Sequence, residues 1–209
     1  MIVLGITGGI GMGKSTSGDL LRQRNIPVID TDVLAREVVE PGEPALAEIV
    51  SAFGRDVLDA SGRLNRGEVA RRVFGNPSLR EKLEAILHPP IRERWLAQML
   101  AWHTQGHRVA VVIIPLLFET HAEKECDFTA AVACSAKSQH ARLLARGWTA
   151  EQISQRLAAQ WPAAKKIDAA DFLVWTESSV EVHAAQLERI LQSATAVHIP
   201  ANTPPHTHN

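Results

Sequence analysis

Residues 2–16 read IVLGITGGIGMGKST, and this stretch decides the fold. Ile2–Thr7 is a continuous, β-branched apolar run ended by glycine, the pattern of a strand. Lys14–Arg24 has helical character and closes before Asn25 and Pro27. Between them Gly8, Gly13, Lys14 and Ser15 satisfy G-x-x-x-x-G-K-[ST], in the strand–loop–helix context that the motif requires. The chemistry follows from the residue types. Glycines let the backbone wrap a phosphate with its N–H groups turned inward, and the helix N-terminus adds positive potential. Lys14 is placed to reach the β- and γ-phosphates, and Ser15 offers its hydroxyl to Mg²⁺. The alternative is a glycine-rich turn that merely joins strand to helix; the matched spacing and context count against it. The expected nucleotide contacts are Gly9, Ile10, Gly11, Met12, Gly13, Lys14, Ser15 and Thr16, with Ser15 on the metal.

Outward from that loop, apolar runs alternate with helical stretches, which predicts an α/β fold with a mainly parallel sheet. The further strands are expected at Ile26–Asp30, Arg108–Ile114, Phe128–Ala133 and Phe172–Trp175. Thr31–Gly106 is longer than any crossover helix requires. It is helical throughout, with breaks expected at Pro41-Gly42, Ser61-Gly62, Asn76-Pro77 and His88-Pro89-Pro90. A second insertion, Ser135–Asp168, carries Arg142, Arg146, Arg156, Lys165 and Lys166, and Val180–Ser193 forms a last amphipathic helix. The tail PANTPPHTHN is expected to be frayed and solvated, its His206 and His208 included.

Composition narrows the function classes. Among 209 residues, 22 Lys and Arg face 23 Asp and Glu, for a net charge of −1, and 45% are hydrophobic. That balance excludes a broadly basic nucleic-acid binder and a disordered, highly charged chain. Cys126 and Cys134 are too few for a disulfide framework; flanking the apolar Phe128–Ala133, they read as small hydrophobes. No apolar run is long enough to span a bilayer, and the start lacks the basic region of a signal peptide, so no membrane partner is expected and the expected location is the cytoplasm. Nothing in the pattern distinguishes a monomer from a small homo-oligomer.

The Asn-Lys-x-Asp that reads guanine in switch GTPases is absent. The strand through Val109–Ile114 meets no carboxylate until Glu119, unlike motor or transport ATPases. Lobes that close around two substrates, as in small-molecule kinases, suit the insertions better. Phosphoryl transfer to an alcohol needs a carboxylate to orient the hydroxyl and accept its proton. Asp30-Thr31-Asp32 follows the second strand, where open α/β sheets present ligand groups. Asp30 is expected to cap the helix that begins at Val33, and Asp32 to do the chemistry, with Arg36 one turn on for an anionic part of the acceptor.

With these residues in view, the chain resembles the dephospho-coenzyme A kinases. The matching stretches are LGITGGIGMGKST (4–16), VIDTDVLAREVVEPG (28–42), LNRGEVARRVF (64–74), LEAILHPPIRERW (83–95), PLLFE (115–119) and QHARLLAR (139–146). The resemblance implies a three-layer P-loop fold with a five-stranded parallel sheet in the order 2-3-1-4-5. It implies a nucleotide-binding core (1–31, 107–134, 169–197), a helical acceptor lobe (32–106) and a lid (135–168), beside which the composition of the tail (198–209) leads us to expect disorder. It implies transfer of the ATP γ-phosphate to the ribose 3′-hydroxyl of dephospho-coenzyme A, the last step of coenzyme A synthesis, with Mg²⁺. Asp32 corresponds to the catalytic base and Thr7 to a residue beside the acceptor. Arg36, Arg71, His88 and Arg92 fall in motifs that line the acceptor side, where arginine forks suit a pyrophosphate. His88 is equally readable as a helix-start histidine before Pro89, and Glu119 as a carboxylate that helps hold Mg²⁺ through water.

In the lid, Gln139, Arg142 and Arg146 lie at i, i+3 and i+7, so one helix face presents two guanidiniums to a γ-phosphate, Arg142 in a catalytic role; a solvated basic face is the alternative. Gln160 is placed at the end of the next helix. One departure stands out. The family has Asn near adenine where this chain has Thr176, and Gly where it has Ser178. Threonine has no amide, so a bond to the adenine edge must change or pass to backbone.

Overall fold

The computed structural model describes residues 1–198. Its elements run β1 (Ile2–Thr7), α1 (Lys14–Arg22), β2 (Val28–Asp30), α2 (Thr31–Glu37), α3 (Pro44–Phe53), α4 (Arg66–Val73), α5 (Pro77–Thr104), β3 (Val109–Ile113), β4 (Phe128–Ala133), α6 (Ala136–Ala145), α7 (Ala150–Ala158), α8 (Ala163–Ala169), β5 (Phe172–Trp175) and α9 (Val180–His198). The chain divides into two compact units, one of residues 1–28 with the chain from Arg108 onward, the other Ile29–His107.

The strands form one sheet in the order β2-β3-β1-β4-β5. β1 lies parallel to both β3 and β4, and β4 parallel to β5. In the first unit, Leu4, Ile6, Val111, Ile113, Ala130 and Val132 meet Leu20 and Leu21 of α1 and Ala184, Leu187 and Ile190 of α9. Alternate residues of a strand face opposite ways. Ala133 accordingly packs with Cys134 and Met12 against Ala163 and Ile167 of α8. Helices therefore cover both faces, in three layers. The apolar strands need this, since neither face is patterned for water. Cys126 sits over Gly5, where an added Cβ would come within 2.7 Å of its sulfur. Burial pushes that thiol up to about 12, as befits a packing residue.

In the second unit α2, α3 and α4 all pack on the 28-residue α5. Val38, Val39, Ile49, Val57 and Val69 form its core, flanked by Leu83, Ile86, Leu87 and Ile91. The expected break at His88-Pro89-Pro90 does not occur: α5 runs through it. Two prolines remove two N–H donors from the helical ladder. The apolar seam of α5 nevertheless continues on both sides of them, and packing on a common core holds the halves in one helix. His88 is thus mid-helix, and the helix-start reading is wrong. The break at Asn76-Pro77 is real, because the Asn76 side chain accepts the Leu79 N–H at 3.1 Å and Pro77 opens the helix.

Smaller boundaries move as well. β2 and β3 are shorter than expected, α1 stops at Arg22, α2 starts at Thr31, and α9 continues to His198. Gln160 lies beyond the end of α7 rather than on it. His206 and His208 lie outside the described residues, as does almost all of the expected tail. No helix of the described residues is long and apolar enough to cross a membrane.

Candidate active site

The glycine loop between β1 and α1 is shaped by what approaches its backbone. Gly8 has φ of +151°, and a Cβ there would stand 2.2 Å from the Val132 carbonyl oxygen. Gly13 has φ of +106° and lies against Thr176, whose Cγ2 would be 3.2 Å from an added Cβ. At both positions only glycine serves, for reasons of conformation and of space.

The loop's carbonyls are bound in succession. Lys14 Nζ donates to Gly8 O at 2.7 Å and to Gly9 O at 3.1 Å. Gln139 Nε2 donates to Ile10 O at 2.8 Å, and Arg142 Nη1 to Gly11 O at 3.5 Å. Thr176 Oγ1 donates to Met12 O at 2.9 Å, and the Ser17 N–H to Gly13 O at 3.0 Å. Six consecutive acceptors are thus engaged. The first-turn amides of α1, which a helix leaves without partners of its own, are the groups suited to an anion. Ser15 and Thr16 are exposed on that turn.

The helix α6 is also fastened at two points to the chain that follows β5. Arg142 donates to Thr176 Oγ1 at 2.9 Å and, through Nη2, to the Thr176 carbonyl. Glu177 accepts the N–H of Ser135, the N-cap of α6, at 3.0 Å. The hydroxyls of Ser135 and Ser138, then that N–H, hold the Glu177 carboxyl down at about 2. The expected pair of guanidiniums on one face is not what forms. Gln139 and Arg142 face the loop, whereas Arg146 is the exposed C-cap residue, past the regular helix that the i+7 spacing assumes. Thr176 is 6% exposed and its hydroxyl is committed to Met12 and Arg142.

Thr7 is placed otherwise than a substrate contact: it is fully buried, and its hydroxyl donates to Pro115 O at 3.1 Å. Glu119 is likewise engaged. Its Oε1 lies 2.9 Å from Lys166 Nζ and accepts the Trp161 N–H at 2.8 Å, while Oε2 is buried without a hydrogen-bond partner. Lys166, 1% exposed, is the residue that sequence reasoning missed. Its neighbour Lys165 lies over the Trp161 ring at 3.3 Å, and in sequence the two lysines look alike. His183 was also overlooked: it is buried on α9, with Nε2 2.8 Å from Ser17 Oγ. Its pKa is lowered by burial and then by the Arg142 charge.

In the second unit, the Asp30 side chain accepts the Asp32 N–H at 2.9 Å and caps α2, as expected. Asp32 and Arg36 stand exposed one turn apart on α2; on α5, which packs against α2, the half-buried His88 and the exposed Arg92 lie one turn apart. Arg71 is turned to its own helix: it forks onto Glu68 at 2.7 and 3.0 Å, and Arg72 adds a third bond at 2.6 Å. These bonds lower the Glu68 pKa, Arg72 contributing most. Among the described residues no three His, Cys, Asp or Glu gather as a metal site.

The family model for dephospho-CoA kinase matches residues 2–181. The chain is similar to a dephospho-CoA kinase of Bdellovibrio bacteriovorus, 40% identical over 90% of this chain and 94% of that one. It is similar to a dephospho-CoA kinase of Anaeromyxobacter dehalogenans, 43% identical over 91% of both. Among solved structures it is similar to TT1252 of Thermus thermophilus, with TM-score 0.76, 34% identity, and coverage of 95% of this chain and 98% of that one.

Proposed function

The chain belongs to the dephospho-CoA kinase family, and from that premise we propose how its residues divide the transfer of the ATP γ-phosphate to the 3′-hydroxyl of dephospho-coenzyme A. The observation that carries the reading is the glycine loop whose carbonyls are engaged from Gly8 to Gly13, in a chain matched to the family over nearly its whole length. The amides of the loop and the first turn of α1 hold the triphosphate, from Gly9 through Thr16, and Lys14 exchanges loop carbonyls for phosphate oxygens. Magnesium, when bound, neutralises charge on the phosphates. Ser15, exposed on the first turn of α1 directly after Lys14, would hold it, because a Mg²⁺ that keeps its waters and takes phosphate ligands needs few protein oxygens.

Asp32 orients the acceptor hydroxyl and takes its proton. Asp30 has relieved it of capping, and its position just after a sheet strand suits the role. Arg36, His88 and Arg92 supply the cationic and hydrogen-bonding side for the acceptor's pyrophosphate, with Arg71 at the margin. Thr7 acts from below the surface, by shaping the end of β1. Arg142 braces the loop and Thr176. For Arg142 to meet a γ-phosphate it must trade Thr176 for a phosphate oxygen, and Arg146 at the exposed end of α6 is the second lid guanidinium. Thr176, its hydroxyl committed to the loop, leaves recognition of the base edge to backbone groups.

ADP release, measured with ATP in the presence and absence of dephospho-coenzyme A, tests the reading. The expected result is release that depends on the acceptor, with coenzyme A formed in equal amount. Release indifferent to the acceptor removes the reading.

A further inference from the structure

Lys166 is the largest side chain buried to within 2% among the described residues, and its surroundings are not those of a packing residue. Its ammonium group meets Glu119 Oε1 at 2.9 Å and donates to the Pro115 carbonyl. The same carbonyl accepts the Thr7 hydroxyl at 3.1 Å. Thr7 ends β1, and Gly8, the first residue of the phosphate motif, follows it directly. Pro115 follows β3, the strand paired with β1 in register Ile6 to Ile113. The Pro115 carbonyl therefore joins the exits of two neighbouring strands, and the Lys166 ammonium group holds that carbonyl.

The helix that carries it reaches the loop by a second route. Ala163 and Ile167 of α8 pack on the cluster of Ala133, Cys134 and Met12, and the Met12 carbonyl is held by Thr176. Glu119 in turn accepts the backbone N–H of Trp161, whose ring stacks on Phe118 at 6.1 Å between centroids. A buried ion pair is a poor stabiliser, since desolvation of two charges offsets much of their attraction. Two hydrophobic side chains of that size would serve packing as well. What they could not supply is a donor at Pro115 O.

We propose that Lys166 is a positioning residue for phosphoryl transfer: paired with Glu119, it fixes the Pro115 carbonyl and through it Thr7, setting where the phosphate loop leaves the sheet. It touches neither nucleotide nor acceptor. Its effect is on alignment, and in-line transfer is sensitive to displacements of about an ångström. This role rests on the kinase reading above.

The test uses the full chain. Lys166→Met alone leaves the Glu119 charge buried and unpaired, so the informative variant is Lys166→Met with Glu119→Gln. It removes both charges, while the glutamine oxygen can still accept the Trp161 N–H. Thermal melting and steady-state kinetics with ATP and dephospho-coenzyme A are measured on this variant and on the unmodified protein. The expected result is a folded variant whose kcat falls roughly 10–100-fold while the KM for ATP stays within about threefold, since alignment is lost but phosphate binding is not. A folded variant with kcat within about twofold of the unmodified protein overturns the proposal. So does a variant that fails to fold, which would assign the pair to the core alone. An unmodified protein with no acceptor-dependent turnover ends the kinase reading itself, a result distinct from either.

Discussion

Around the glycine loop, Lys14, Gln139, Arg142 and Thr176 each commit a hydrogen bond to a loop carbonyl, whereas in the helical unit Arg71 forks onto Glu68 of its own helix and Arg72 adds a single bond to the same carboxylate. The first arrangement holds backbone carbonyls, in part by Lys14 from within the motif and in part by residues far along the chain. The second mostly joins neighbours a turn apart, although Arg72 also donates to the Phe53 carbonyl at the end of α3. A loop that must present its amides needs its carbonyls held, and those of Ile10, Gly11 and Met12 are held by elements distant in sequence. A helix already satisfies its carbonyls internally, so its arginines and acids can serve a ligand or one another. Substitutions near the loop should therefore disturb stability and binding together, and those on the helical unit should act on the acceptor side alone.

The most severe test of that contrast is Asp32→Asn. It should lower kcat by roughly 10²–10⁴ if proton acceptance by this carboxylate drives transfer. ATP binding, followed by calorimetry, should be unchanged. Turnover near that of the unmodified protein would remove Asp32 from the chemistry.

Gly8→Ala comes next. The new Cβ meets a backbone oxygen of β4 at 2.2 Å, not the flexible end of a side chain. Overpacking of this kind costs about 1–3 kcal/mol or more, and the urea midpoint should fall along with ATP affinity. A shift in one without the other would break the link drawn between loop shape and fold.

A pH experiment probes the same unit more gently. His183 has a lowered pKa because it is buried and near Arg142, so the folded state prefers its neutral form. Its contribution to stability is present above the unperturbed value of 6.5 and is lost as pH falls through that value toward the folded-state pKa. Urea unfolding at pH 7.5 and 5.5 should show a loss for the unmodified protein that His183→Gln, which can still bond to Ser17, largely lacks. Equal losses in both proteins would show that other groups govern the slope.

The smallest effect belongs to Arg71→Ala. That side chain is 73% exposed, and Glu68 keeps Arg72 as a partner. Stability should change by less than about 0.5 kcal/mol, and any kinetic change should fall on the KM for dephospho-coenzyme A. A clear drop in melting temperature would mean the Glu68 cluster is structural.

The boundaries of the fold were readable wherever one local cause decided them. Asn76-Pro77 starts α5, and Asp30 caps α2, because capping depends on residues within a turn. His88-Pro89-Pro90 misled because the local penalty of two prolines is outweighed by an apolar seam running across them, and that seam matters only once α2, α3 and α4 lie against it. In the site, the motif named Gly8, Gly13, Lys14 and Ser15, all within one loop. It could not foretell that Arg142 holds Thr176, or that Arg146 falls past the helix end.

The spacing of glycines, lysine and serine between an apolar strand and a helix determined the shape of the loop proposed to hold a phosphate, since backbone geometry over nine residues is a local matter. The motifs further along the chain determined the family. Which of two adjacent lysines is buried, which carbonyl it holds, and where Thr7 directs its hydroxyl were settled only when β1, β3 and α8 came together. Desolvation and hydrogen-bond partners are properties of a packed neighbourhood, and residues far apart in sequence acquire them only on folding.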